Sequence, residues 1–145
     1  MEDIIDTHIN VLKSISDKSK VDEHILILSG KPRKDIYSVR RSDVGYLLVA
    51  MDYSQKRVAK YFDKKKSELK QKYRLLNNQG DILREAGIEC DDVMKLERGT
   101  MDECFNLDDK FDQYLALINQ AKQVIEYSIG GREIGVMLSS MHGKY

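Results

Sequence analysis

A single proline constrains this chain more than any other feature. It is Pro32, and no other occurs among 145 residues, where average usage gives roughly seven. Glycine is absent over residues 46–79 as well. Proline lacks a backbone donor and clashes with the preceding helical turn, and glycine costs about 1 kcal/mol in a helix interior. A stretch free of both and rich in Lys, Leu and Gln favours helix. The sequence predicts an all-α protein.

Residues 3–16 read as a first helix, because Ile4, Ile5, Ile9, Val11, Leu12 and Ile15 recur at spacings of three and four. Val21–Leu28 fits either of two elements. Its Ile25-Leu26-Ile27-Leu28 run suits a short strand, whereas Ser19 as a cap and Gly30 as a stop suit a short helix. Helix is preferred, since no second strand is evident to pair with it. Lys31–Arg41 is a basic connector, and Ser42 or Asp43 can cap the helix that follows.

Val44, Met51 and Val58 then recur every seven residues, and Leu48, Phe62, Leu69 and Leu76 form a second such series interrupted by Gln55. Together they give a coiled-coil-like seam, strong over 44–62 and weaker where the first series becomes Lys65 and Lys72. The sequence predicts a helix over 43–78, ended by Asn77-Asn78-Gln79-Gly80. Its length of about 54 Å exceeds the ~15 Å radius of gyration of a compact domain of this size and implies an elongated form.

Short helices are expected over Asp81–Ala86, stopped by Gly87, and over Asp91–Arg98, stopped by Gly99. Thr100-x-x-Glu103 spells a capping box for a last long helix over 101–129. Its stripe is Leu107, Phe111, Tyr114, Leu115, Ile118, Ala121, Val124, Ile125 and Ile129. Gly130-Gly131 breaks it, and Arg132–Met141 reads as a short final helix. The expected whole is one helical domain over 1–145. It has an N-terminal segment (1–30), the connector (31–41), a helical hairpin (42–129) with short flanking helices, and a C-terminal segment (130–145). Val44, Leu48, Met51, Val58, Phe62, Phe111, Ile118 and Ile125 are the expected core. Their apolar faces exceed what one hairpin covers, so the sequence predicts a homo-oligomer.

The zero net charge hides a strong segregation. Residues 31–74 carry fourteen Lys and Arg against five Asp and Glu, while 1–30 and 75–145 are acidic by three and six charges. Lys56–Arg74 alone holds nine basic and two acidic residues, with Tyr61, Phe62 and Tyr73 among them. Lys56, Lys60 and Lys64 share a helical face, Arg57 lies beside it, and Lys66, Lys70 and Arg74 continue a nearby line. Each phosphate neutralised by such an array releases condensed counterions, and exposed aromatics can stack on unpaired bases. Arg40 and Arg41 in the connector extend the basic surface. The alternative is that the stripe faces acid, either residues 81–112 of its own chain or a partner's surface, or that it is simply solvated.

Catalytic signatures are absent. His8, His24 and His142 share no ligand spacing with Cys or carboxylates, and they read as surface or satisfied residues. No phosphate-cradling glycine loop or nucleophile elbow occurs. Asp91-Asp92 and Asp108-Asp109 sit where helix N-termini favour negative charge, so no metal or cofactor is expected. Cys90 and Cys104 have acidic neighbours, which do not activate a thiol, and reduced cysteines fit an intracellular setting. The acidic start Met1-Glu2-Asp3 lacks the profile of a secretory signal. The longest apolar runs fall well short of the ~20 residues that span a bilayer, and the apolar face opposite Lys56–Arg74 is too thin for membrane insertion. The sequence therefore predicts a non-catalytic, self-associating helical accessory or regulatory protein that binds nucleic acid through the basic stripe. The other reading is a helical adaptor or chaperone-like factor docking on an acidic protein surface.

Overall fold

The computed structural model describes residues 3–128. Among the described residues four α-helices follow one another: α1 (Ile4–Lys13), α2 (Val21–Ser29), α3 (Asp43–Glu85) and α4 (Asp91–Ser128). Short 3-10 turns occur at Lys18–Lys20 and Arg33–Asp35, and no strand occurs among the described residues. The all-α expectation and the helical choice for 21–28 both hold. The expected Ile129, the Gly130-Gly131 break and the helix over 132–141 lie outside the described residues. The chain divides into two compact units, residues 1–58 with 113–145, and residues 59–112.

In the first unit α1 packs on the early part of α3 and the late part of α4, and α2 packs on α1 and the early part of α3. Asp3 caps α1 by accepting from the Ile5 amide at 2.7 Å. Helix α2 ends at Gly30, whose φ of 75° is the left-handed conformation glycine adopts without a Cβ penalty. Ile5, Ile25, Leu28, Val44, Leu47, Met51, Val58, Ile118 and Ile125 are fully or almost fully buried. This core is drawn from all four helices. At about 25 cal/mol per Å² of apolar surface, each such residue contributes roughly 1.5–3 kcal/mol. Helices α1 and α2 thus bury part of the apolar sides of α3 and α4 within one chain. Gln55, the interruption in the seven-residue series, accepts from Lys122 Nζ at 3.0 Å. Gly45 is required by contact, because a Cβ there would stand 1.8 Å from the Arg40 carbonyl oxygen.

The second unit is a two-helix hairpin made of the late part of α3 and the early part of α4. Here three sequence expectations are corrected. Helix α3 does not stop at residue 78 but runs through Asn77-Asn78-Gln79-Gly80 to Glu85, absorbing the short helix expected over 81–86. The helix expected over 91–98 and the one expected from 101 are a single helix that passes through Gly99. Thr100 is accordingly no cap. It is buried inside α4, and its Oγ1 donates to the Leu96 carbonyl at 2.8 Å. The physical reason is the same in each case. A mid-helix glycine costs about 1 kcal/mol, less than the burial gained by continuing the seam. On α3 the seam continues to the half-buried Leu76 and Leu83. On α4 Val93, Thr100, Leu107, Tyr114 and Ala121 recur every seven residues, and all are buried.

The expected stop at Gly87 does occur. Gly87 takes φ 72°, its N–H donates to the Arg84 carbonyl at 3.0 Å, and the Ile88 N–H donates to the Leu83 carbonyl at 2.9 Å. These two bonds form a Schellman motif. Between the arms, Phe62 stacks on Phe111 with ring centroids 4.2 Å apart, and Leu69 and Leu107 are buried.

Candidate nucleic-acid interface

The second unit carries most of the basic stripe on α3. At about 100° per residue, Lys60, Lys64 and Arg74 project from the side of the helix opposite Phe62, Leu69 and Leu76. Lys60, Lys64, Lys70 and Arg74 are all exposed. None of them makes an ion pair among the described residues, so their charge is directed at solvent. Lys65 and Lys72 add exposed charge on the flanks. Only Asp63 and Glu68 interrupt this segment with negative charge. A hollow of about 160 Å³ beside Lys64 is lined by Tyr61, Lys64, Lys65 and Glu68. The Glu68 carboxylate makes it unsuited to an anion, so the basic feature is a face and not a pocket.

Two residues of the expected stripe are engaged elsewhere. Lys66 Nζ lies 2.5 Å from Asp108 Oδ1 and 5.4 Å from the Phe62 ring centroid, bridging the two arms of the hairpin. This pair places one lysine of the stripe against the acidic 81–112 region, as the alternative reading of the sequence has it. In the first unit, Arg57 Nη1 donates to the Ile27 and Leu28 carbonyls at 2.9 and 3.1 Å. Those are orphan acceptors at the C-terminus of α2, where a cation also meets the negative end of the helix dipole. Arg57 is therefore a helix cap. Its neighbour Lys56 is exposed.

The aromatic residues are less available than the sequence suggested. Phe62 is committed to Phe111, and Tyr61 and Tyr73 are half-buried. Base stacking thus has little purchase here, and phosphate contact is the chemistry that the exposed groups offer.

The connector is anchored to the first unit through Arg33. Arg33 bridges Asp22 at 3.1 Å and Asp43 at 2.6 Å, and its guanidinium lies 4.5 Å from the Tyr46 ring centroid. Arg41 is exposed and Arg40 half-buried. The Arg40 carbonyl accepts from Ser38 Oγ at 2.5 Å, which fixes the loop against Gly45.

One arrangement in the first unit resembles catalytic machinery. His8 Nδ1 lies 2.6 Å from Ser54 Oγ, and Ser54 Oγ lies 2.7 Å from Tyr114 Oη. All three side chains are at most 1 % exposed, so no substrate reaches the hydroxyl. Burial, aided by the charge of Arg57, lowers the His8 pKa to about 4. Burial raises the Tyr114 phenol to about 12, against the opposing hydrogen bond from Ser54. The three form a satisfied polar chain across α1, α3 and α4, a structural role.

Among the described residues no group of three or more His, Cys, Asp and Glu is placed to hold a metal ion. Cys90 is buried and Cys104 half-buried, and both are free thiols. No described helix is long and apolar enough to cross a membrane. No known family model matches the chain, and no curated protein or solved structure matches it either.

Proposed function

We propose that the protein is a non-catalytic accessory or regulatory factor that binds nucleic acid through the outer face of α3 in the second unit. The observation that carries this reading is the set of exposed side chains Lys60, Lys64, Lys70 and Arg74, none with an ion-pair partner among the described residues. Four cations on one helix face match a phosphate backbone, which rewards each neutralised charge with counterion release. The contacts are sequence-tolerant, because the nearby aromatics are packed and nothing on this face is shaped to read a base edge.

The test is binding of fluorescently labelled single- and double-stranded oligonucleotides of mixed sequence. The unmodified protein is expected to bind with Kd on the order of 10 µM near 100 mM salt, within the usual range of non-specific association. The Lys60→Glu/Lys64→Glu/Arg74→Glu variant is expected to lose binding to all sequences alike. Undetectable binding by the unmodified protein at 50 mM salt would overturn the proposal.

A further inference from the structure

The early part of α4 presents a face that neither the fold nor the basic stripe uses. Met94, Met101 and Phe105 are exposed by 37 %, 43 % and 59 %. Their spacings of seven and four align them on one side of the helix. That side points away from the seam formed by Val93, Thr100 and Leu107. Exposed large apolar residues scattered singly are ordinary, but an aligned row of them is the mark of a docking surface.

The surroundings say what kind of partner fits. Asp91, Asp102, Asp109 and Asp112 lie along or beside the row, all exposed, and none has an ion-pair partner among the described residues. Arg98 on the row and Lys95 beside Asp102 are the exposed cations here, against the four carboxylates. An apolar row with an acidic border is complementary to a helix with an apolar face and lysines or arginines flanking it. Methionine suits this use, because its unbranched thioether side chain adapts to differently shaped partners. A second copy joined α4 to α4 would bring these carboxylates together and is disfavoured by like-charge repulsion.

We infer that the Met94–Met101–Phe105 face of α4 is a docking site for a basic amphipathic helix of a partner protein. The site is distinct from the lysine face of α3, and it stands whether or not that face binds nucleic acid. It makes the molecule two-sided, with one helix of the hairpin offered to polyanions and the other to a polycationic helix.

The experiment uses the full-length protein and three fluorescent peptides of about eighteen residues: an amphipathic Leu/Lys helix, a scrambled Leu/Lys peptide of the same composition, and an amphipathic Leu/Glu helix. The amphipathic Leu/Lys peptide is expected to bind at least tenfold more tightly than either control. Met101→Gln/Phe105→Gln is expected to weaken it about tenfold. Asp102→Asn/Asp109→Asn/Asp112→Asn is expected to weaken it by a similar factor and to reduce its salt dependence. Because all five side chains are exposed, circular dichroism should show these variants folded. The Lys60→Glu/Lys64→Glu/Arg74→Glu variant should keep its affinity for the peptide, so the two surfaces can fail independently. Equal affinity for the scrambled peptide would reduce the effect to bulk charge and overturn the inference. So would unchanged binding by Met101→Gln/Phe105→Gln, or a dimer of the unmodified protein that this double variant dissolves.

Discussion

Acidification should unfold this protein through His8. The ring is 1 % exposed and held neutral between Ser54 and the neighbouring Arg57 charge, with its pKa lowered from 6.5 to about 4. The unfolded chain takes up a proton near pH 6.5 and the folded chain only near pH 4. Stability is therefore fully present above pH 6.5 and is lost as the pH falls toward 4. At about 1.36 kcal/mol per pKa unit, the shift is worth about 3.4 kcal/mol in the limit and about 2 kcal/mol by pH 5. His24 acts in the same direction, since burial lowers its pKa against the opposing charges of Glu23 and Asp17. Urea denaturation at pH 7.5, 6 and 5, followed by circular dichroism, measures the effect. The unmodified protein should lose about 2 kcal/mol or more over that range. His8→Gln keeps a hydrogen-bonding side chain without the titration, and it should remove most of the slope. A flat profile for the unmodified protein, or a full slope in His8→Gln, would refute the reasoning.

Further predictions separate folding roles from binding roles. Arg57→Ala should cost about 2–3 kcal/mol, because two charge-assisted hydrogen bonds to the end of α2 are lost, whereas Lys60→Ala should shift the denaturation midpoint very little. Gly45→Ala should destabilise by about 3 kcal/mol or unfold the first unit, since its Cβ would collide with the Arg40 carbonyl at 1.8 Å. Gly99→Ala should do the reverse, raising stability by about 0.5–1 kcal/mol in a thermal melt, because a Cβ there meets nothing within 4 Å and the residue lies inside α4. A double-mutant cycle on Phe62 and Phe111 should give a coupling of about 0.5–1.5 kcal/mol for their stacked rings.

The helical class was legible because proline and glycine are excluded over long stretches, and the series Val44, Met51 and Val58 marked buried positions of α3, whereas the expected Leu48 is half-buried and its neighbour Leu47 is fully buried. The ends of the long helices were not, because local stop signals at Asn77–Gly80, Gly99 and Thr100 were outvoted by burial further along. The series Val93, Thr100, Leu107, Tyr114 and Ala121 runs straight through Gly99, and it was the available signal for one continuous helix. In the basic stripe, sequence could not distinguish Arg57 from Lys56. The α2 carbonyls that Arg57 caps lie some thirty residues away and arrive only with the tertiary fold. Lys66 likewise acquires Asp108 only when the hairpin closes. Ser54, three residues after Met51 and four before Val58, lay on the apolar side and hinted at a buried polar partner. Its link to His8 and Tyr114 required contacts from three helices.

The salt dependence of oligonucleotide binding tests the central claim most directly. With Lys60, Lys64, Lys70 and Arg74 each neutralising a phosphate, log Kobs against log salt should fall with a slope of about −3 to −4 on duplex DNA between 50 and 200 mM. The Lys60→Glu/Lys64→Glu/Arg74→Glu variant should weaken binding and reduce the slope to about −1 or less in magnitude, because only Lys70 of the four remains, while the melting temperature barely moves. A slope that the triple variant leaves unchanged would place the phosphate contacts elsewhere and contradict the assignment of the α3 face.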